Sequence, residues 1–261
     1  KSNLDRARSR ILNNLSIMVE EGELKQDYKE IMNSIQYTTS LNRGVSDATF
    51  VLETVSENIL LKKKIFSVLD KYSLPETILA TNTSGLSITN IASSTQRPER
   101  IIGCHWWNPP YLLPLVEIIP GKKTSSETIH RVEKLIKSLN KETILVKKEI
   151  PGFIWNRLQA ALIREALHIL SEGIASPEDI DKVVEKGYAL RSVVVGPLKT
   201  IDLSGMELWR TVMKNLGPEL SNDINPNRIF DEKIFRGENG VKSGKGFYNY
   251  GSQTLEEVIE K

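Results

Sequence analysis

The stretch IIGCHWWNPPYLLPLVEII, from Ile101 to Ile119, decides how the chain is read. It holds two apolar runs separated by Asn108-Pro109-Pro110. Each run is short and rich in β-branched residues, so each predicts a buried strand, Arg100–Cys104 and Leu115–Ile119. An Asn-Pro-Pro turn brings two such strand ends side by side. Outward from this pair, Ala48–Glu53, Thr77–Ala80 and Thr143–Val146 read as further short strands. Helical patterns lie between them. Residues 58–72 turn Ile59, Leu60, Ile65, Phe66 and Leu69 inward, and Leu86–Ala92 makes a short helix. Thr124 with Glu127 is a capping-box signature. It opens a helix with Ile129, Val132, Leu135, Ile136 and Leu139 on one face. Residues 2–20 form another amphipathic helix, ended by Glu21-Gly22. Strands alternating with helices predict an α/β fold around a mostly parallel sheet.

After Lys147-Lys148-Glu149 the character changes. Pro151 suits a first helical turn, and from Phe153 to Leu170 apolar residues fall on nearly every face. Such a helix is buried inside a bundle or in a subunit interface. Gly173 stops it, and Ser176-Pro177-Glu178 starts another. The domain boundary is therefore expected near residue 147, with an α/β half over 1–147 and an all-helical half over 148–261.

The 261 residues carry a formal net charge of +2, too small to argue for a nucleic-acid partner. Cys104 is the single cysteine, which rules out an intramolecular disulfide and leads to the expectation of a reducing, cytoplasmic compartment. No apolar run approaches the roughly 18 residues needed to span a membrane, so no membrane association is expected. No Cys/His/Asp cluster has metal-ligand spacing.

Three features carry candidate chemistry. Glu117 lies inside an apolar strand, where a lone carboxylate costs several kcal/mol unless it is paired. His105 ends the preceding strand, and a His–Glu pair would let the carboxylate set the imidazole tautomer. The same residues also read as an edge-exposed Glu117 and a structural histidine packed between tryptophans. Thr81-Asn82-Thr83-Ser84-Gly85 follows a strand at the end where open α/β sheets bind ligands, and it also reads as a helix cap. Asn156 sits in the first turns of the apolar helix, and a buried amide there needs structural or substrate partners. Cys104 should point away from His105, since strand neighbours face opposite sides. His130 and His168 fall on helices and read as structural.

Taken in order, several motifs resemble the L-3-hydroxyacyl-CoA dehydrogenase family over essentially the whole chain. They are Glu57-Asn-Ile-Leu-Leu-Lys62, Thr81-Asn-Thr-Ser84, His105-Trp-Trp-Asn108-Pro109, Leu115-Val-Glu117, Pro151-Gly-Phe-Ile-Trp-Asn156-Arg157, Gly196-Pro-Leu198 and Gly244-Lys-Gly-Phe-Tyr248. The resemblance implies a Rossmann-type NAD-binding domain followed by a helical domain that completes the site and forms a homodimer. It matches His105 to the catalytic base and Glu117 to its partner. Ser84 and Asn156 match residues that contact substrate near the reacting carbon. Glu57, Lys62, Asn108 and Lys242 match cofactor contacts, and Asn82 lies beside them in the same loop. The implied reaction is NAD-dependent oxidation of an L-3-hydroxyacyl-CoA.

This sequence departs from the family pattern at several points. Gly85 stands where a second serine is common, and Trp106-Trp107 replaces a usual Phe-Phe pair. The run Pro109–Glu117 is similar to relatives acting on smaller hydroxy acids, such as carnitine or gulonate dehydrogenases and lambda-crystallin. A free hydroxy acid as substrate, or a non-catalytic role, therefore stands beside the acyl-CoA reading. No G-x-G-x-x-G occurs. Residues 2–20 resemble the helix that follows the family's second strand. The expectation is that about 30–35 residues carrying the glycine-rich turn precede Lys1. The competing expectation is a remnant that cannot bind NAD tightly.

Overall fold

Five strands form one sheet in the order β1 (Phe50–Glu53), β2 (Ile78–Thr81), β3 (Ile101–Trp106), β4 (Leu115–Pro120) and β5 (Glu142–Leu145). The computed structural model describes residues 2–22, 24, 27–254, 257 and 258. All strand pairings are parallel except β3 with β4, which is antiparallel. The helices that accompany the sheet are α1 (Ser2–Glu20), α2 (Tyr28–Ser34), α3 (Leu41–Val45), α4 (Ile59–Tyr72), α5 (Ile88–Ala92) and α6 (Ser126–Ser138). From α7 (Trp155–Ser171) onward the regular elements are helical: α8 (Pro177–Val183), α9 (Leu190–Val194), α10 (Pro197–Ser204), α11 (Met206–Leu216) and α12 (Arg228–Phe235). Isolated bridges at Lys245 follow them. The mostly parallel α/β sheet followed by helices agrees with the sequence reading.

Strand periodicity sorts the core into two layers. Leu79, Ile101 and Ile119 pack with Phe66, Leu69, Ile88, Ile91 and Phe153 on one face. Ala80, Ile102, Cys104 and Ile118 pack with Val132 and Ile136 of α6 on the other. Each fully buried side chain of this size contributes roughly 1.5–3 kcal/mol. Gly103 lies on the first face, beneath α5. A methyl group there would meet Ile88 Cδ1 at 2.8 Å and Ile119 Cβ at 3.0 Å. Gly103→Ala should therefore overpack this layer and cost about 1–3 kcal/mol, read as a lower urea midpoint.

Local details differ from the sequence reading where side chains face polar partners. Ser125, not Thr124, caps α6, accepting from Thr128 N at 3.1 Å. Thr124 instead accepts from Gly121 N at 2.8 Å and donates to Ile101 O at 2.5 Å. On α4, Leu60 is 75% exposed and Lys62 takes the buried position. Leu139, placed on the inner face of α6 by its spacing, is exposed because it is the C-cap residue beyond the last turn.

The chain divides into two compact units, Lys1–Asn156 and Arg157–Lys261. Residues 149–156 bond back to the first unit. The Glu149 carboxylate accepts from Thr89 N at 3.1 Å and Thr89 Oγ1 at 2.5 Å, and Glu117 receives two backbone N–H groups from this segment. In α7 only Leu167 is buried, while Leu158, Leu162 and Ile163 remain exposed.

Candidate active site

The antiparallel register of β3 and β4 sets His105 directly opposite Glu117. Cross-strand neighbours share a face, so the two side chains meet at the end of the sheet. His105 Nδ1 lies 2.6 Å from Glu117 Oε2, with both residues buried. The other carboxylate oxygen, Oε1, accepts from Ile154 N and Trp155 N, each at 3.0 Å. Trp107 Nε1 donates to Oε2 at 3.4 Å. Burial alone would push this carboxyl upward, but bonds from His105, from Trp155 N and Ile154 N, and from Trp107 outweigh it. They hold Glu117 below its ordinary value of 4.5.

An ionised carboxylate only accepts hydrogen bonds. The hydrogen on the bonded ring nitrogen must therefore sit on Nδ1. That leaves the lone pair of the neutral imidazole on Nε2, the nitrogen that can take a proton.

The segment before α7 builds the back of this pair. Gly152 and Phe153 take positive φ values of 75° and 49°, which turn the chain so that the next two N–H groups point at Glu117. The left-handed conformation costs a non-glycine residue about 1–3 kcal/mol and persists where packing over-determines it. Phe153 is fully buried, its ring edge-on to His105 at 5.7 Å between centroids. Trp107 and Trp155 stack at 4.2 Å beside the carboxylate. Cys104 points to the opposite core layer, and burial pushes its thiol up to about 12, so it stays protonated and inert.

Asp70 is a second buried carboxylate, remote in role. Burial would raise it, but hydrogen bonds from Arg100 and Gln96 N and the charges of Arg100 and Arg97 hold it below its ordinary 3.8. Both Glu117 and Asp70 are thus depressed in the folded state. Their stabilisation should be fully present above about pH 5 and disappear as pH falls through 4.5 and 3.8 toward the depressed folded values. Thermal melts between about pH 7 and pH 3 should show this steep acid loss; a flat profile would contradict it.

The loop after β2 joins the site from the neighbouring strand. Asn82 N donates to Glu53 O at 2.8 Å, and Asn82 Oδ1 accepts from Trp106 N at 2.8 Å, clamping the loop to β1 and β3. Thr83 Oγ1 accepts from Leu86 N at 2.9 Å and donates to Glu57 Oε1. Ser84 N donates to the same Glu57 oxygen at 3.1 Å, and Ser84 O accepts from Asn156 Nδ2 at 2.8 Å. Ser84 and Asn156 are therefore joined, and the Ser84 side chain is exposed. Gly85 abuts Gly152, whose backbone N would lie 3.3 Å from a side chain there. A side chain there would require this neighbour to give by a few tenths of an ångström.

Glu57, with its side chain 44% exposed, faces Lys62 Nζ at 3.6 Å. Lys62 itself is buried and bonded to Glu53. Glu53, Phe153, and the N–H groups of residues 154 and 155 were not singled out from the sequence. Glu53 carried the same signal as Glu117, a lone acid in an apolar strand. Asn108 is exposed beside a cis bond to Pro109, and Lys242 is exposed in the second unit. Among the described residues no group of His, Cys, Asp and Glu could hold a metal ion. No helix of the described residues is long and apolar enough to cross a membrane.

Residues 1–150 match the family model of the 3-hydroxyacyl-CoA dehydrogenase NAD binding domain, and residues 152–250 match that of its C-terminal domain. The chain belongs to the 3-hydroxyacyl-CoA dehydrogenase family. Members of this family are NAD-dependent oxidoreductases acting on CH–OH groups, and NAD is the cofactor. The chain is 36% identical to a 3-hydroxybutyryl-CoA dehydrogenase of Clostridioides difficile over 249 residues, 95% of this chain and 87% of that protein. It is 38% identical to an L-carnitine dehydrogenase of Bacillus cereus over 187 residues, 71% of this chain and 57% of that protein. A solved 5-formyl-3-hydroxy-2-methylpyridine 4-carboxylic acid 5-dehydrogenase, described as an NAD+ dependent dismutase, superimposes with a TM-score of 0.89 at 32% identity, covering 100% of this chain and 82% of its own.

The residues present fit a dinucleotide. Dinucleotides bind beyond the carboxyl ends of parallel strands. The segments that leave β1 and β2 at those ends carry the part-exposed Glu57 carboxylate and the exposed Ser84.

Proposed function

We propose that the protein catalyses the reversible, NAD-dependent oxidation of an L-3-hydroxyacyl-CoA to a 3-oxoacyl-CoA. The observation that carries this reading is the His105–Glu117 pair, in which an ionised carboxylate leaves Nε2 as the proton acceptor. His105 Nε2 takes the proton of the 3-hydroxyl, and Glu117 stabilises the imidazolium that forms. Ser84 and Asn156, held together by their own hydrogen bond, orient the reacting oxygen. Trp107 helps to exclude water, which strengthens each of these polar contacts, whereas Trp106 packs with the Cys104 layer on the opposite face of the sheet. When bound, NAD supplies the acceptor for the hydride that leaves carbon. Glu57, Asn82, Asn108 and Lys242 are the residues assigned to holding it, while Lys62, buried against Glu53, acts through Glu57.

The exposed apolar side chains of α7 support a homodimer in which a second copy covers them. A cytoplasmic location goes with the single, buried and unpaired cysteine.

A compact free acid is a second reading. It is favoured by the Trp107–Trp155 stack, which places two large indoles beside the pair. Steady-state assays of the full-length protein separate these readings. Oxidation of NADH with acetoacetyl-CoA supports the first. Turnover of L-carnitine or 5-formyl-3-hydroxy-2-methylpyridine 4-carboxylate, with none of acetoacetyl-CoA, would sink it. Inactivity toward all of them favours a non-catalytic member of the family.

A further inference from the structure

We propose that Glu53 is a positioning residue of this site, acting on Ser84 through Lys62 and Glu57. The inference rests on the proposed roles of Ser84 and Asn156. Glu53 closes β1, four residues before Glu57 and outside the motif that begins there. Its side chain is 2% exposed and that of Lys62 is 1% exposed. The ammonium lies 2.8 Å from Glu53 Oε1 and 3.0 Å from Oε2, and donates to Val55 O at 3.1 Å. Glu53 also accepts from Val55 N at 2.5 Å and from Thr81 Oγ1 at 2.7 Å. The acceptor sites of Glu53 are thus occupied, and the direction of the Lys62 ammonium is set by the carboxylate behind it.

A buried ion pair is weak evidence for stability, because well-packed neutral residues often do as well or better. What this pair does is geometric. It leaves the positive charge facing Glu57 Oε2 at 3.6 Å. With that oxygen drawn to Lys62, the other oxygen of Glu57 receives Thr83 Oγ1 and Ser84 N. Ser84 O in turn receives the Asn156 amide. Glu57 is part-exposed, so without the cation its carboxylate is free to turn to solvent and the loop loses two bonds. Lys62 thus reaches the site through Glu57, with no exposed donor of its own.

The test compares Glu53→Gln with the double variant Glu53→Gln/Lys62→Met in the full-length protein. The single change leaves the buried ammonium with only the part-exposed Glu57 carboxylate as counter-charge and should lower the urea midpoint. The double change removes both charges, while the amide introduced at position 53 still accepts from Val55 N and donates to Thr81 Oγ1, so the midpoint should return to that of the parent. Positioning predicts that the recovered double variant still exchanges its Ser84 amide about tenfold faster than the parent, measured without ligands. It also predicts kcat lowered about tenfold or more on whichever substrate the parent turns over. Parental exchange and parental kcat in a stable double variant would overturn the proposal. Failure of the double variant to fold would overturn it too, since the pair would then be structural. If the parent itself does not turn over acetoacetyl-CoA, the substrate reading fails, and exchange at Ser84 decides the role of Glu53 alone.

Discussion

Replacing His105 with glutamine should lower turnover by about 10²–10⁴-fold, the range that a positioned general base contributes. The fold should survive. A glutamine amide can donate to Glu117 Oε2 as the Nδ1–H does at 2.6 Å, so the buried carboxylate keeps its partner. The Phe153 ring that lies edge-on to His105 keeps a planar neighbour of similar size. What is lost is the lone pair on Nε2, because an amide nitrogen does not accept a proton near neutral pH. Steady-state kinetics with NADH and near-ultraviolet circular dichroism, measured on the same preparation, check both halves. A variant with near-parental kcat and an unchanged spectrum would remove His105 from the role of base.

Glu117→Gln should be nearly as damaging to turnover, about 10²–10⁴-fold, and should also destabilise the protein by about 1–3 kcal/mol. Four donors converge on this carboxylate: His105 Nδ1, Trp107 Nε1, Ile154 N and Trp155 N. An amide has one accepting oxygen and cannot serve both sides. If the oxygen stays with Ile154 and Trp155, the NH₂ faces His105 and forces its hydrogen onto Nε2, the wrong tautomer for a base. If the oxygen turns to His105, the NH₂ faces two backbone N–H groups and the turn at Gly152-Phe153 loses its anchor. The first arrangement preserves more bonds and should dominate, so the loss falls on kcat while KM for NADH stays close to parental. The variant should also lose part of the acid sensitivity described above, because one depressed carboxylate is gone. Parental kcat in a variant with lowered stability would confine Glu117 to a packing role.

The site is partly legible in the sequence. Glu117 stands out as an acid in an apolar strand, and His105 ends the strand that precedes it. Their contact depends on the antiparallel register of β3 and β4, which the Asn-Pro-Pro turn suggested without specifying. Glu53 offers the same kind of signal, but its partner Lys62 lies nine residues on, on a helix, where no strand register points to it. The capping residue of α6 was misplaced by one position, since Thr124 and Ser125 are chemically equivalent as caps and only the neighbours of each decide between them. The short helices α2 and α3 lie below the length at which apolar periodicity is readable.

The five strands, the longer helices between them and the family motifs are legible in the sequence alone. These are local properties, encoded in a repeat of two or of 3.6 residues and in the residues that cap or break each run. The tertiary structure alone decided which polar groups meet. It brought residues 105, 117, 154 and 155 to one carboxylate, and linked residues 53, 62, 57, 84 and 156 in a chain of hydrogen bonds and ion pairs. The physical reason is that sheet register and the path of the backbone before α7 set such meetings, and neither leaves a periodic trace in the sequence.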